Sequence, residues 1–179
     1  MNVAVAITGS IASGKSTLAS WLAARWSCPG ASFGRLVARV AAARGLDDDR
    51  DTLQALGEGL IEELGWFEFC RQTLELAHAD WSTTPLVIDG VRHRAALATL
   101  RTSLTARLIL VHVTCDPATR VQRLLDRGAG VDDVRRWDRH ETEHEVALLA
   151  AIADVVVCGT RPPGEAVAQI ERAMRGEDG

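Results

Sequence analysis

The stretch Val3-Ala4-Val5-Ala6-Ile7-Thr8-Gly9-Ser10-Ile11-Ala12-Ser13-Gly14-Lys15-Ser16-Thr17 decides how the rest of the chain reads. Residues 3–7 are small or β-branched apolar side chains with no charge, the pattern of a buried parallel strand. Gly9, Gly14, Lys15 and Ser16 then complete G-x-x-x-x-G-K-[ST]. Apolar positions Leu18, Ala19, Leu22, Ala23 and Trp26 follow at helical spacing, predicting a helix over 16–26. Strand, glycine loop and helix in this order predict a cradle for the phosphates of a nucleoside triphosphate. The glycines let the loop wrap closely enough to turn several backbone N–H groups, with Ala12 and Ser13 among their residues, toward phosphate oxygens. The helix N-terminus adds a favourable field. Lys15 is expected to reach the β- and γ-phosphates and to act in catalysis, Ser16 to ligate Mg2+, and Thr17 to approach the α-phosphate. Lys15 is also the only lysine of the 179-residue chain, whose other permanent cations are arginines. As a loop lysine it is expected to be exposed and to matter little for stability.

Outward from this motif, the apolar runs predict strands at 86–88, 107–113 and 155–158. Helical periodicity predicts helices at 34–44, 51–64, 93–101, 117–127 and 165–174, a further one from 65 to about 80, and one helical segment from 131 to 152. Strands separated by helices make an α/β sandwich with a mainly parallel sheet, in one domain covering 1–179. Residues 175–179 are expected to fray.

Asp89 closes the strand 86–88, and the carboxyl end of a parallel strand opens onto the ligand crevice. A carboxylate there can hold Mg2+ or orient an acceptor hydroxyl; it can also be a helix cap or a loop group. Arg92 lies just beyond, as a cation of the crevice or an ordinary surface arginine. Asp116, followed by Pro117, reads as an N-cap and stays outside the catalytic set. Trp66, Phe67 and Phe69 can form a wall for a base or an apolar tail, or pack a helix onto the core. Gly128-Ala129-Gly130 can pivot a lid, or can be a plain connection whose neighbouring arginines pair with Asp132, Asp133 and Glu141.

A formal net charge of −4 gives no general attraction to nucleic acid or to an anionic membrane. At 47% hydrophobic residues the chain is not expected to be disordered. Cys28, Cys70, Cys115 and Cys158 form no CxxC pair, and the five histidines form no metal-ligand pattern. The N-terminus lacks the basic region of a signal peptide and no run reaches the length of a membrane span, so a reduced, cytoplasmic chain is expected.

Several patches together carry a resemblance: the phosphate loop, Ser32-Phe33-Gly34 before a helix, and Val87-Ile88-Asp89-Gly90-Val91-Arg92. The arginine-spaced helix 117–128, Trp137-Asp138-Arg139-His140-Glu141 and Ala153-Asp154-Val155-Val156-Val157 extend it over nearly the whole chain. The chain resembles the P-loop nucleoside-monophosphate kinases and dephospho-coenzyme A kinases, particularly the small adenylate-kinase-related members. This resemblance implies a three-layer sandwich around a five-stranded parallel sheet in the order 2-3-1-4-5. It implies ATP with Mg2+ and transfer of the γ-phosphoryl to a bound small molecule, by a monomer or homodimer. A nucleoside or deoxynucleoside monophosphate is the favoured acceptor; dephospho-coenzyme A, a specialised metabolite and a regulatory nucleotide-binding or hydrolysing role are the alternatives.

The resemblance also assigns roles to residues. Arg39 matches the arginine on the acceptor phosphate, Arg92 a second one facing the acceptor, and Phe33 stands beside them. The helical insert at about 34–80 covers the acceptor side. Arg123 and Arg127 match the helix and hinge leading into a short lid at about 127–140, with Arg123 on ATP. Arg135, Arg136 and Arg139 lie in or just after that lid, Arg127 and Arg136 being the pair expected to act on the transferring phosphoryl. The chain departs from its relatives at Arg35, where many carry an aspartate facing acceptor and metal, so that Asp89 is left as the one carboxylate at the transfer centre. It departs again at Cys158-Gly159, where relatives often continue with Asn-Asp.

Overall fold

The computed structural model describes residues 2–176. Strand β1 (Val3–Thr8) is buried along its whole length and lies between β3 (Leu86–Asp89) and β4 (Arg107–Thr114), parallel to both. Its side chains alternate between two cores, as the period of a strand requires. Ala4 and Ala6 face one core with Leu86, Ile88 and Leu110; Val3, Val5 and Ile7 face the other with Val87, Ile109 and Val111. Near-continuous apolar sequence is the consequence of burial on both faces.

Helices α2 (Phe33–Ala43), α3 (Arg50–Glu75) and α4 (Arg94–Ser103) cover the first face through Leu36, Val37, Leu60, Leu74 and Leu97. Helices α1 (Lys15–Trp26) and α8 (Pro163–Arg175) cover the second through Leu18, Leu22, Val167 and Ile170. Truncating a fully buried side chain such as Leu22 or Ile88 to Ala is worth about 2–5 kcal/mol. Strands β2 (Gly30–Ser32) and β5 (Val155–Cys158) complete the sheet, in the order β2-β3-β1-β4-β5. This is the expected three-layer sandwich and the expected strand order.

The registers bring the functional segments to one edge. Ile7 pairs with Asp89 and Ser32 also pairs with Asp89, so the end of β1, the end of β3 and the start of α2 meet there. Helices α5 (Pro117–Leu125), α6 (Val131–Asp138) and α7 (Glu141–Ala150) follow β4, and Leu149 of α7 returns to the first core. A small third core joins Ile11 and Ala12 of the glycine loop to Leu124 and Val134. Asp116 caps α5, accepting from the Thr119 N–H at 2.8 Å.

Two local expectations need revision. β2 occupies a segment where the apolar runs predict no strand, because three residues are too few to show a period. The two helices expected on either side of Gly65 are both present within α3, divided at Gly65, whose φ of 72° and ψ of 165° are not helical. The single helix expected over 131–152 is two: His140 leaves helical geometry, and its Nδ1 accepts from the Thr142 N–H at 3.3 Å to start a new helix. Of the expected frayed end, 177–179 lie outside the described residues; α8 ends at Arg175, with Gly176 left-handed. No described helix is long and apolar enough to cross a membrane.

Candidate active site

The glycine loop leaves β1 through Gly9 (φ 153°) and enters α1 through Gly14 (φ 101°), with Ala12 left-handed at φ 62°. A Cβ on Gly9 would stand 2.6 Å from the Val113 carbonyl oxygen, so only glycine passes there without displacement. Left-handed backbone at a non-glycine residue is uncommon, and its cost is typical of loops shaped for a ligand. The hydroxyls of Thr8 and Ser13 are buried here without a hydrogen-bond partner among the described residues.

Lys15 is the first residue of α1 and is 8% exposed, contrary to the exposed lysine expected. Its Nζ donates to the Ser10 carbonyl at 3.2 Å. Burial lowers its pKa to about 7; Arg92 and Arg50 push in the same direction, while Asp89 and Glu143 oppose them. Three cations therefore share this neighbourhood with two carboxylates. An incoming phosphate would relieve the repulsion among them.

Asp89 ends β3, and its Oδ1 is buried without a hydrogen-bond partner among the described residues. Gly90 (φ 82°) turns the chain away immediately afterwards, and Gly90 and Val91 both donate their N–H groups to the Ile7 carbonyl at 3.1 Å. The carboxylate is thereby held beside the root of the glycine loop. Arg92 pairs with Glu143 of α7 at 3.3 Å, the carboxylate side chain being only 8% exposed.

Lys15, Asp89 and Arg92 line one cavity of about 840 Å3, within the range of a small-molecule site. Its wall runs along α2 and α3 and includes Phe33 and Arg35. A second cavity of about 400 Å3 lies against the loop at Ile11, bounded by Arg127, Arg136 and Trp137. Arg50, at the start of α3, borders both.

A family model described as AAA domain matches residues 5–145, from β1 into α7. The chain belongs to the AAA domain family. Curated proteins yield no match to this AAA-domain chain. Among solved structures it is similar to TT1252 from Thermus thermophilus, at 22% identity and TM-score 0.61, over 99% of this chain and 98% of that one. It is also similar to a shikimate kinase from Aquifex aeolicus (19%, TM-score 0.58, 97% of each chain). A gluconokinase from Sinorhizobium meliloti matches at 16% and TM-score 0.58, over 97% and 92% of the chains. The AAA-domain chain thus has the fold of small P-loop kinases.

Of the residues marked in the sequence, the fold brings Lys15, Ser16, Phe33, Arg35, Asp89 and Arg92 onto the larger cavity. Arg39 is not brought there. Arg39 shares a face of α2 with Arg35, about 40° round the helix, but lies one turn and about 6 Å farther along it, where it is exposed. Arg35 borders the cavity but donates to the Gly30 carbonyl. Arg123 donates to the Ala12 carbonyl at 3.1 Å and the Gly159 carbonyl at 3.2 Å, bracing the loop main chain. Arg127 and Arg136 reach the smaller cavity, where Arg136 pairs with Asp51 at 2.5 Å and Asp133 at 2.9 Å.

Arg50 was not foreseen in this AAA-domain chain. Its guanidinium lies 5.6 Å from the centroid of Trp137, its Nε is buried without a partner among the described residues, and burial, reinforced by Arg92, lowers its pKa to about 10. Helical periodicity starts the helix at 51, one residue past Arg50. The available signal was the cap: Asp49 accepts from the Thr52 N–H at 3.0 Å, which puts Arg50 at a helix start.

Proposed function

We propose that this chain is an ATP-dependent phosphotransferase acting on a small molecule held in the larger cavity. The observation that carries the reading is that Lys15 of the phosphate loop, Asp89, Arg50 and Arg92 converge on that cavity. Backbone N–H groups of Gly9 to Thr17 hold the triphosphate, and Lys15 with Arg50 balances charge on the transferring group. Ser16 and Asp89 would hold Mg2+. These are oxygen donors suited to a hard cation, and an unpartnered buried carboxylate oxygen is consistent with a cation or a proton donor at that point. When bound, Mg2+ neutralises charge on the β- and γ-phosphates.

The acceptor is better read as an alcohol than as a nucleoside monophosphate. Arg39, the residue matching the acceptor-phosphate arginine, lies in solvent, whereas Asp89 offers an oxygen able to take a hydroxyl proton. The hydrolysing reading draws on the AAA-domain description, but it leaves the large cavity beside Lys15 without a purpose.

ADP release from MgATP, with and without a panel of alcohols and nucleoside monophosphates, tests the proposal, with phosphorylated product detected by 31P NMR. Acceptor-dependent product supports the kinase reading. ADP and inorganic phosphate released at one rate whatever is added would replace it with hydrolysis.

A further inference from the structure

The larger cavity is charged at one end, and the wall that α3 extends away from that end is mostly hydrocarbon, with Gln54, Glu58, His93 and Thr142 among the polar groups that also line the cavity. On α3 the lining residues Arg50, Leu53, Gly57 and Ile61 recur every three or four positions, and so form one stripe of the helix. At 1.5 Å per residue the stripe runs about 16 Å away from the charged end. Beyond the kink at Gly65 the wall continues with Trp66 and Phe69; Val37 faces it from α2. The aromatic part is ordered by contact: Phe33 and Phe69 lie 5.3 Å apart, Trp66 and Phe69 6.4 Å, and Trp66 and His93 5.1 Å.

Polar lining groups on α3 stand to the side of the stripe. Gln54 and Glu58 each follow a stripe position by one residue, and Glu58 lies 3.5 Å from His140 Nε2. Gly57 leaves room within the wall, since a Cβ there would meet only Val37 Cγ2, at 3.6 Å.

A polyhydroxylated acceptor set against Leu53, Ile61 and Phe69 would lose water from hydroxyls that these side chains cannot pair, at a cost for each group. A hydrocarbon body loses nothing polar and gains contact along the whole stripe. From this lining we infer that the acceptor is an amphipathic alcohol, with one hydroxyl at Asp89 and an aromatic or branched-aliphatic body along α3.

The inference rests on the kinase reading for its chemistry. The acceptor oxygen forms a bond to the γ-phosphorus as the bond from that phosphorus to the β–γ bridging oxygen breaks. ADP leaves, and the hydroxyl proton is released to water.

Two measurements keep the ligand class and the reaction apart. In the first, calorimetry with the ADP-loaded chain compares geraniol and cinnamyl alcohol with shikimate, gluconate and AMP. The hydrocarbon alcohols are expected to bind at least tenfold more tightly. Gly57→Leu, which fills the stripe without breaking the helix, and Ile61→Gln, which wets it, should each weaken that binding at least tenfold. Thermal melts check that both variants fold. Equal or tighter binding of any polar probe overturns the inference, as does hydrocarbon binding that neither folded variant changes. The second measurement is phosphoryl transfer to the probes that bind. Binding that follows the expected pattern without transfer would uphold the ligand class and remove the kinase reading instead.

Discussion

Burial and the Arg92 and Arg50 guanidiniums bring Lys15 to about 7, so near neutrality it is easily left uncharged while no anion is bound. Its ordinary value is 10.5, and between the two the native chain holds fewer protons at this site than the unfolded chain. The group therefore opposes folding in full below about pH 7, and that penalty fades as pH rises through the window. Phosphates beside Lys15 restore the ammonium. Binding of metal-free ATP at pH 8 should take up a proton, with much less uptake at pH 6, as read by calorimetry in buffers of different ionisation heat. In Lys15→Met the uptake should vanish and transfer should fall by at least a hundredfold, with the fold retained. Persisting uptake would assign the proton to another group. Gly159 acts on the same loop by shape, since a Cβ there would stand 1.9 Å from the Ser13 carbonyl oxygen. Gly159→Ala should cost about 1–3 kcal/mol and weaken ATP binding. A melt and an ATP titration check it; if both match the parent, loop and β5 can separate freely.

Helix α6 is held onto the start of α3 by contacts that are individually weak. Asp51 accepts from Trp137 Nε1 at 2.9 Å besides pairing with Arg136, and Arg50 lies 5.6 Å from the Trp137 ring centroid, whereas Arg135 pairs with Asp132 at 3.3 Å within α6 itself. Exposed ion pairs of this kind contribute about 0.2–1 kcal/mol each, little enough for a lid to release them. The arginine–aspartate pairs fit a plain surface connection too; kinetics separates the two readings. If the segment closes over ATP, Arg127→Ala or Arg136→Ala should lower transfer at least tenfold, measured with saturating MgATP and acceptor. Asp51→Ala, by untying Arg136 and Trp137, should raise acceptor-free ATP hydrolysis relative to transfer. Wild-type rates and an unchanged ratio in all three variants would leave α6 as a connection. The element boundaries here were only partly legible: the period of 131–152 is helical throughout, and the break at His140 depends on how its ring meets the Thr142 N–H.

In the whole molecule, the phosphate loop joins both faces of the sheet to the third core, so ligand binding should be felt throughout. MgATP at a hundred times its Kd stabilises the native state by about 2.7 kcal/mol. For a chain of this size that raises Tm by about 5–10 °C, and Lys15→Met should blunt the rise. Scanning calorimetry reads both, and a flat Tm in the parent would mean that the cradle does not take ATP. The sequence by itself determined the strand–loop–helix, the carboxylate at the end of β3 and the Asp116 cap, because these follow from residues adjacent along the chain. The strand order was implied by resemblance, and the registers place it physically. Which cations meet was decided by tertiary structure alone. Arg39 and Arg50 both lie on helices of the structure, yet Arg39 falls one turn beyond the cavity wall of α2 and is exposed, while the start of α3 sets Arg50 between the two cavities. A long side chain goes where the packing of its helix aims it, and that packing comes from apolar residues distant in the chain.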